Sequence, residues 1–420
     1  MKRMTPILPS ANPLVSGRLV AGIDTHRNTH HVAVVDHLGR PIADSQFPAT
    51  GRGHQQMINF FHAHGHIDRV GVDGTGSYSA GIARELTVAG FTVVEIIRQN
   101  RQARRLRGKS DPIDAHQAAL ALLSGADTVP KTADGQVESL RILLTERRSA
   151  AKAKSQTMNQ IHALLVTAPE PVRDTYRALG STKIVKTLAR TRPTGSGFDP
   201  NLVTRHTLKR LAVRYLILQD EIDEIEKQLD PLVRAVNPTL LSLSGIGLVT
   251  AAALLVAAGD NPERLATRAT FAALAGVAPQ PAPSGQRTRH RLSRGENRQA
   301  NAALHRILLL RRRHQEPRTM VYFARRRAEG LTDRDIMRCL KRHVANEVYG
   351  ALLNPATENP AGRQLRTERQ RIGIPITVLA PSLGVPYQQL RRLEIGTRAD
   401  PELEQRATLA LARVDHTEAV

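Results

Sequence analysis

The stretch Gly108-Lys109-Ser110-Asp111-Pro112-Ile113-Asp114-Ala115 constrains this chain more than any other. Two carboxylates three residues apart follow a basic run, Arg101 to Arg107, and precede an apolar helical pattern, His116 to Leu123. Positions i and i+3 share one face of a helix, so Asp111 and Asp114 can address a single ion. The same residues also satisfy the rules of a helix start. Asp111 suits the N-cap, Pro112 the first helical position, and Asp114 completes a capping-box-like pattern. Standing alone, the stretch reads as a cap. Its chemical reading depends on where the other carboxylates fall.

Upstream, Leu19 to Ile23 is a short apolar run ending in Asp24, followed by Thr25-His26. His31 to Val35 is a second β-rich run, and Asp36 to Arg40 reads as a turn into a third, Pro41 to Gln46. Gly51 to Ala63 has helical character. Arg69 to Val72 is a strand ending in Asp73, and Gly74-Thr75-Gly76 turns the chain into a helix from Tyr78 to Ala89. Phe91 to Ile97 is a further strand. The order β-β-β-α-β-α-β-α predicts a mixed α/β sheet flanked by helices. Asp24 and Asp73 then stand at strand ends, with Asp111 and Asp114 at the start of a later helix. Asp is also an ordinary turn former at strand ends. Four carboxylates in this order, beside a basic run, instead suit a two-metal site acting on a phosphodiester. Hard oxygen ligands point to Mg²⁺, as a pair of ions. Arg104, Arg105, Arg107 and Lys109 are placed to hold phosphates nearby.

Charge supports a polyanionic partner. Lys plus Arg number 60 against 38 Asp plus Glu, a net charge of +22, which favours nucleic acid over an anionic membrane surface. No apolar run of about 18 residues and no signal-peptide pattern is present, so a cytoplasmic, nucleoid-associated protein without a membrane is expected. The single cysteine, Cys339, excludes an internal disulfide and a multi-cysteine zinc site. With aromatics at 3% and no Trp, base stacking is an unsuitable means of recognition.

Downstream of the α/β region, the apolar positions Leu208, Leu211, Tyr215, Leu218, Ile222, Ile225, Leu229, Leu232 and Val236 alternate in steps of three and four. That is a coiled-coil seam, with Pro231 expected to kink or end the helix. An earlier helix, Val137 to Val166, repeats the spacing with Arg147 and Lys154 on the seam; the two helices can pack within one chain or join subunits. Arg190 to Asn201 reads as a loop. Gly245-Ile246-Gly247 suits a helix-hairpin-helix turn able to bind phosphate, or a plain tight turn. From Ser284 to Arg327 there are 13 arginines and only two glutamates. Arg287, Arg289, Arg291, Arg294 and Arg298 open that tract as candidate backbone contacts. Last, Leu365 to Gly396 carries apolar residues at helical spacing around Gly384. It resembles a repressor-type (Cro-like) helix-turn-helix, with Gln388, Gln389, Arg391 and Arg392 as candidate base or phosphate contacts. A small helical cap is the bland alternative, and Pro381 is a defect in the match.

The motifs Gly22-Ile23-Asp24-Thr25-His26, Val72-Asp73-Gly74-Thr75-Gly76-Ser77-Tyr78 and Gly108 to Ala115 resemble the DEDD-type transposases of bacterial insertion sequences. This is the one-ten family, related to the Piv DNA invertases. The resemblance runs from about Arg18 to about Leu353. It implies a RuvC-like, RNase H-like α/β domain over 18–127 after a flexible arm, 1–17. A coiled-coil region over 128–238 would join subunits into a dimer or tetramer. A mainly α serine transposase domain would cover 239–355; the helix-turn-helix extension over 360–420 lies beyond the resemblance and is not expected from that family. The implied tetrad is Asp24, Asp73, Asp111 and Asp114, with Asp73 standing where the family has Glu. Ser284, after Gly276-Val277-Ala278-Pro279, takes the place of the family's serine nucleophile. DNA as substrate and a structured noncoding guide RNA follow from the resemblance alone. The expected function is an insertion-sequence transposase. A Holliday-junction-type endonuclease or DNA invertase is the alternative, and a non-catalytic DNA-binding regulator comes last.

Overall fold

A computed structural model describes residues 18–72, 78–96, 111–125, 127–131, 135–195, 197, 199–281, 290–291, 297–355, 360–396 and 400–418. The chain divides into two units, residues 1–133 and 134–420.

In the first unit, β1 (Leu19–Thr25), β2 (Thr29–Val35) and β3 (Pro41–Pro48) form an antiparallel meander. Helix α1 (Gly51–His64) leads to β4 (Ile67–Val72), which runs parallel to β1. Then come α2 (Ala80–Val88), β5 (Val93–Ile96) parallel to β4, α3 (Asp111–Leu123) and the short antiparallel β6 (Asp127–Thr128). The sheet order is β3-β2-β1-β4-β5-β6, so β1 lies inside it. This mixed sheet with flanking helices is compatible with an RNase H-like domain.

Alternation along β1 decides which side each residue serves, because successive side chains point to opposite faces. Leu19, Ala21 and Ile23 join Met57, Phe61, Ile82 and Leu86 in one core. Val20 faces the other way, into a core with Ala118, Ala119 and Leu122 of α3. Gly22 lies on that second face, and a Cβ there would stand 2.2 Å from the Ala115 carbonyl oxygen and 2.3 Å from the Ala119 nitrogen. Only a glycine lets α3 settle this closely on the strand. Asp24, two residues further, shares the face.

The second unit is almost entirely helical. Helices α4 (Gln136–Thr167) and α7 (Pro200–Val236) pack antiparallel along their length. The seam is used within the chain: Leu208, Ile222, Ile225 and Leu229 are buried. Its two basic interruptions find partners across the hairpin. Arg147 Nε donates to Glu226 at 2.8 Å, and Lys154 Nζ to Gln219 at 2.5 Å. Helix α7 does not end at Pro231 but continues through it to Val236. Pro231 is on the exposed side of the helix, as is Lys227, the residue one turn before it. The distal end of the hairpin is closed by two helices the sequence did not announce, α5 (Glu170–Tyr176) and α6 (Ser181–Arg190), around their own core.

At the base of the hairpin, α8 (Thr239–Ser242), α9 (Leu248–Ala258), α10 (Arg268–Leu274), α11 (Arg298–Arg313), α12 (Pro317–Ala328) and α13 (Asp333–Leu353) surround the largest core. The two-residue strands β7 (Gln280–Pro281) and β8 (His290–Arg291) pair between α10 and α11. Asp260 accepts from Gly135 N at 3.3 Å and Val137 N at 3.1 Å, capping α4 from 123 residues away. Four further helices, α14 (Pro360–Arg371), α15 (Ile376–Ser382), α16 (Tyr387–Ile395) and α17 (Pro401–Glu418), enclose a separate small core. Pro381 is accommodated in the last turn of α15, and Gly384 takes φ +66° in the turn to α16. Among the described residues, no helix is long and apolar enough to cross a membrane.

Candidate functional site

The end of β1 and the start of α3 bring together three side chains that are distant in sequence. Asp24 is the penultimate residue of β1 and is buried; Asp111 is the first residue of α3 and half-exposed. His26, just beyond the strand, lies between them. Its Nε2 is 3.2 Å from Asp24 Oδ2 and 3.1 Å from Asp111 Oδ1. One ligating atom from each of the three falls within 4.8 Å of the others. Asp114, one turn along α3, is 1% exposed on the face that α3 turns to the sheet. The structure therefore brings Asp24 and Asp111 to one point and buries Asp114 on the same helix. Asp73, Arg104, Arg105, Arg107 and Lys109 lie outside the described residues, as does the stretch leading into α3.

The donor set fits a divalent cation. Two carboxylate oxygens and an imidazole nitrogen converge, held by a strand on one side and a helix on the other. Hard oxygens suit Mg²⁺ or Mn²⁺, and the imidazole widens the range towards softer first-row metals. Asp24, Asp111 and His26 would hold such an ion. His26 was quoted in the sequence motif but carried no assigned role. A lone histidine after a strand is an unspecific signal, and its importance comes from Asp111, 85 residues on.

Behind this point lies a second histidine cluster. His30 of β2 and His54 of α1 stack with ring centroids 5.3 Å apart and Nε2 atoms 3.3 Å apart. His54 Nδ1 is 2.9 Å from Glu85 of α2. Burial first, and the neighbouring His54 second, push the His30 imidazole down to about 4. His30 is therefore neutral near neutrality and packs as a polar core residue.

In the second unit, Ser284 and the side chains of Arg287, Arg289, Arg291 and Arg294 are outside the described residues; Arg298, the first residue of α11, is exposed. The segment before Ser284 is firmly tied. Asn301 Nδ2 donates to the Ala275 carbonyl at 2.8 Å and the Gly276 carbonyl at 3.2 Å. Lys341 Nζ in turn donates to Asn301 Oδ1 at 3.2 Å, and burial, then Arg338, lowers the Lys341 pKa. Neither Asn301 nor Lys341 was singled out by sequence, since both look like ordinary helix-surface residues.

The Gly245-Ile246-Gly247 turn is held by arginines rather than left open on all sides. Gly245 takes φ +77° against the Ile307 carbonyl, which a Cβ would approach to 2.8 Å. Arg311, 3% exposed, donates to the Ser244 carbonyl at 2.8 Å and to Glu347 at 2.8 Å. From α16, Arg391 Nη2 donates to the Leu241 carbonyl at 2.9 Å and the Ile246 carbonyl at 3.4 Å. Ile395 of the same helix belongs to the large core at the base of the hairpin. Of the four candidate contacts on α16, Arg391 is thus engaged with backbone and Gln389 with Asp400 at 3.3 Å. Gln388 is half-buried and Arg392 exposed.

Comparison with known proteins bears on both units. Residues 21–168 match a family model described as a transposase, of the DEDD type of IS110. Residues 237–324 match the Transposase IS116/IS110/IS902 family. A relative from Streptomyces coelicolor, the uncharacterized 43.6 kDa protein of insertion element IS110, is 31% identical over 162 residues. That alignment covers 37% of this chain and 39% of the relative, so the chain spans about two fifths of the length of the curated protein it matches.

Proposed function

The chain belongs to the IS110 family of insertion-element transposases, and on that premise we propose that it is a DNA strand-transfer recombinase. The observation that carries the reading is the convergence of Asp24, His26 and Asp111 where β1 ends and α3 begins. Asp24, Asp111 and Asp114, with Asp73 as the fourth member, form the carboxylate centre, and His26 stands among them. One or two divalent ions bound there, Mg²⁺ by preference, would neutralise charge developing on a phosphodiester and ease deprotonation of an attacking hydroxyl. The chain's own contribution is placement. Asp24 is fixed by the sheet, Asp111 by a helix seated on Gly22, and His26 sets a nitrogen donor between the two carboxylates. Ser284 is the nucleophile on DNA, eight residues along the chain from Gly276, whose carbonyl Asn301 holds.

The reading extends to partners. DNA is the substrate, a structured noncoding RNA is the guide, and subunits assemble into a homo-oligomer. The domains run 18–127, 128–238, 239–355 and 360–420, the last acting as a helix-turn-helix that supplements DNA contact.

The test incubates supercoiled DNA carrying the element's ends with the protein, its co-purified RNA and Mg²⁺. Joined products are expected. Asp111→Ala and Asp114→Ala should lose them while still retaining DNA on a filter. Unchanged strand exchange in either variant would remove the carboxylates from the mechanism. Retention without any cleavage by the unmodified protein would favour a regulator.

A further inference from the structure

The distal tip of the α4–α7 hairpin carries charge that the catalytic reading does not use. Residues 150–214 hold 12 Lys and Arg against three acids, Glu170, Asp174 and Asp199. The remainder of α7, residues 215–236, reverses the balance, with six acids against Lys227 and Arg234. One continuous helix is therefore basic at the tip and acidic towards its base. Two of the tip's three acids have local tasks. Asp199 caps α7 through Asn201 N at 3.4 Å and Leu202 N at 3.2 Å, and Asp174 lies 3.9 Å from Arg177. The basic excess is left largely uncompensated.

The charge stands on a built platform. A bare hairpin loop would suffice to join α4 to α7. Instead, α5 and α6 close the tip around a core that includes Ile161, Val172, Tyr176, Ile184, Leu188 and Leu208. Helix α6 buries Ile184, Val185 and Leu188 and exposes Lys183, Lys186 and Arg190. These three fall at steps of three and four, one stripe about 10 Å long. Among the described residues, none of the three makes an ion pair. Flexible point charges in a row suit successive phosphates and carry no base readout.

We propose that this tip is a separate docking surface for the phosphate backbone of duplex DNA, built by residues outside the carboxylate-bearing unit. The proposal rests on the reading that the substrate is DNA. Duplex is favoured over single strand because the tip's described aromatics are engaged inward: Tyr176 is in the core and Tyr215 lies under Lys154. From the tip core at Leu208 to the base core at Leu229, α7 rises roughly 30 Å, about nine base pairs of B-form DNA. A duplex bound at the base of the hairpin would need to extend at least that far to reach the tip.

The experiment uses the full chain, without divalent ions so that only binding is read. Fluorescence anisotropy follows a labelled 40-base-pair duplex between 50 and 200 mM salt for the unmodified protein and for Lys183→Ala/Lys186→Ala/Arg190→Ala. At about 0.9 per phosphate contact, the slope of log Kobs against log salt should become shallower by about 2.7. The thermal unfolding profile should not change, since all three side chains are exposed. An unchanged slope, with tight binding by the unmodified protein, overturns the proposal. A greater loss on an RNA duplex of equal length overturns the assignment to DNA. If the unmodified protein shows no salt-dependent DNA binding at all, the reading of DNA as substrate fails, and this surface fails with it.

Discussion

Replacing Gly22 with alanine tests whether the spacing of one strand and one helix sets the candidate centre. The added Cβ would lie 2.2 Å from the Ala115 carbonyl oxygen, 2.3 Å from the Ala119 nitrogen and 2.9 Å from the Ala118 carbonyl carbon. All three are backbone atoms of α3, so no side chain can rotate away. Reaching an ordinary contact near 3.4 Å requires the helix to retreat by roughly 1.2 Å. Overpacking of this kind costs about 1–3 kcal/mol in stability. The larger effect is geometric. Asp111 and Asp114 ride on α3, while Asp24 and His26 stay with β1. A displacement near 1 Å between catalytic groups costs on the order of 10²-fold in rate. The assay compares Mg²⁺-dependent cleavage of a donor DNA by the unmodified protein and Gly22→Ala, with Mn²⁺ affinity by calorimetry as a second readout. Cleavage should fall about 10²-fold and Mn²⁺ binding should weaken, while DNA retention is kept. A folded Gly22→Ala protein with unmodified cleavage and Mn²⁺ affinity would refute the claim that this contact positions the carboxylates.

Two further predictions concern stability. His30 is 1% exposed and depressed to about 4, below the 6.5 of a free imidazole, so the unfolded chain binds the proton more readily. Its contribution is complete above pH 6.5 and is lost as pH falls towards 4, by about 3 kcal/mol at most. Thermal unfolding of the first unit should drop between pH 7 and 5, and His30→Asn should flatten that dependence; an equal slope in both proteins would contradict it. In the C-terminal helices, Arg369 donates to Glu394 at 2.6 and 2.9 Å, and both side chains are buried. Arg369→Ala strands Glu394 and should cost about 3–5 kcal/mol, whereas Arg369→Met with Glu394→Leu should cost far less. Limited proteolysis of residues 360–418 separates the two, and equal protection in both variants would dismiss the pair's role.

Much of the α/β unit could be read from its pattern. β1 and β4 are short apolar runs that end in carboxylates, and their observed spans, Leu19–Thr25 and Ile67–Val72, extend the expected ones by two residues each. β6 was missed because two residues carry no periodicity. Helices α5 and α6 were missed because Pro169, Pro171 and Gly180 look like breakers, yet each sits at or near a helix start, where proline and glycine are tolerated. Asp24, Asp111 and Asp114 were legible from their places at element ends. His26 was not, because its meaning is a contact across 85 residues. The arginines show the opposite limit. Composition cannot distinguish a guanidinium facing DNA from one facing a carbonyl, and Arg311 and Arg391 both turn to the backbone around the Gly245-Ile246-Gly247 turn.

The dependence of the carboxylate centre on α3 also fixes when it can exist in the life of each molecule. Asp24 and Asp111 are separated by 87 positions, and the seating of α3 on Gly22 is what brings Asp111 within reach of Asp24 and His26. A ribosome adding about 5–20 residues per second leaves an interval on the order of ten seconds between the two. Throughout it, the nascent chain displays a strand-end carboxylate with no helix to face. A chain stalled or clipped before residue 111 has no means of building this centre.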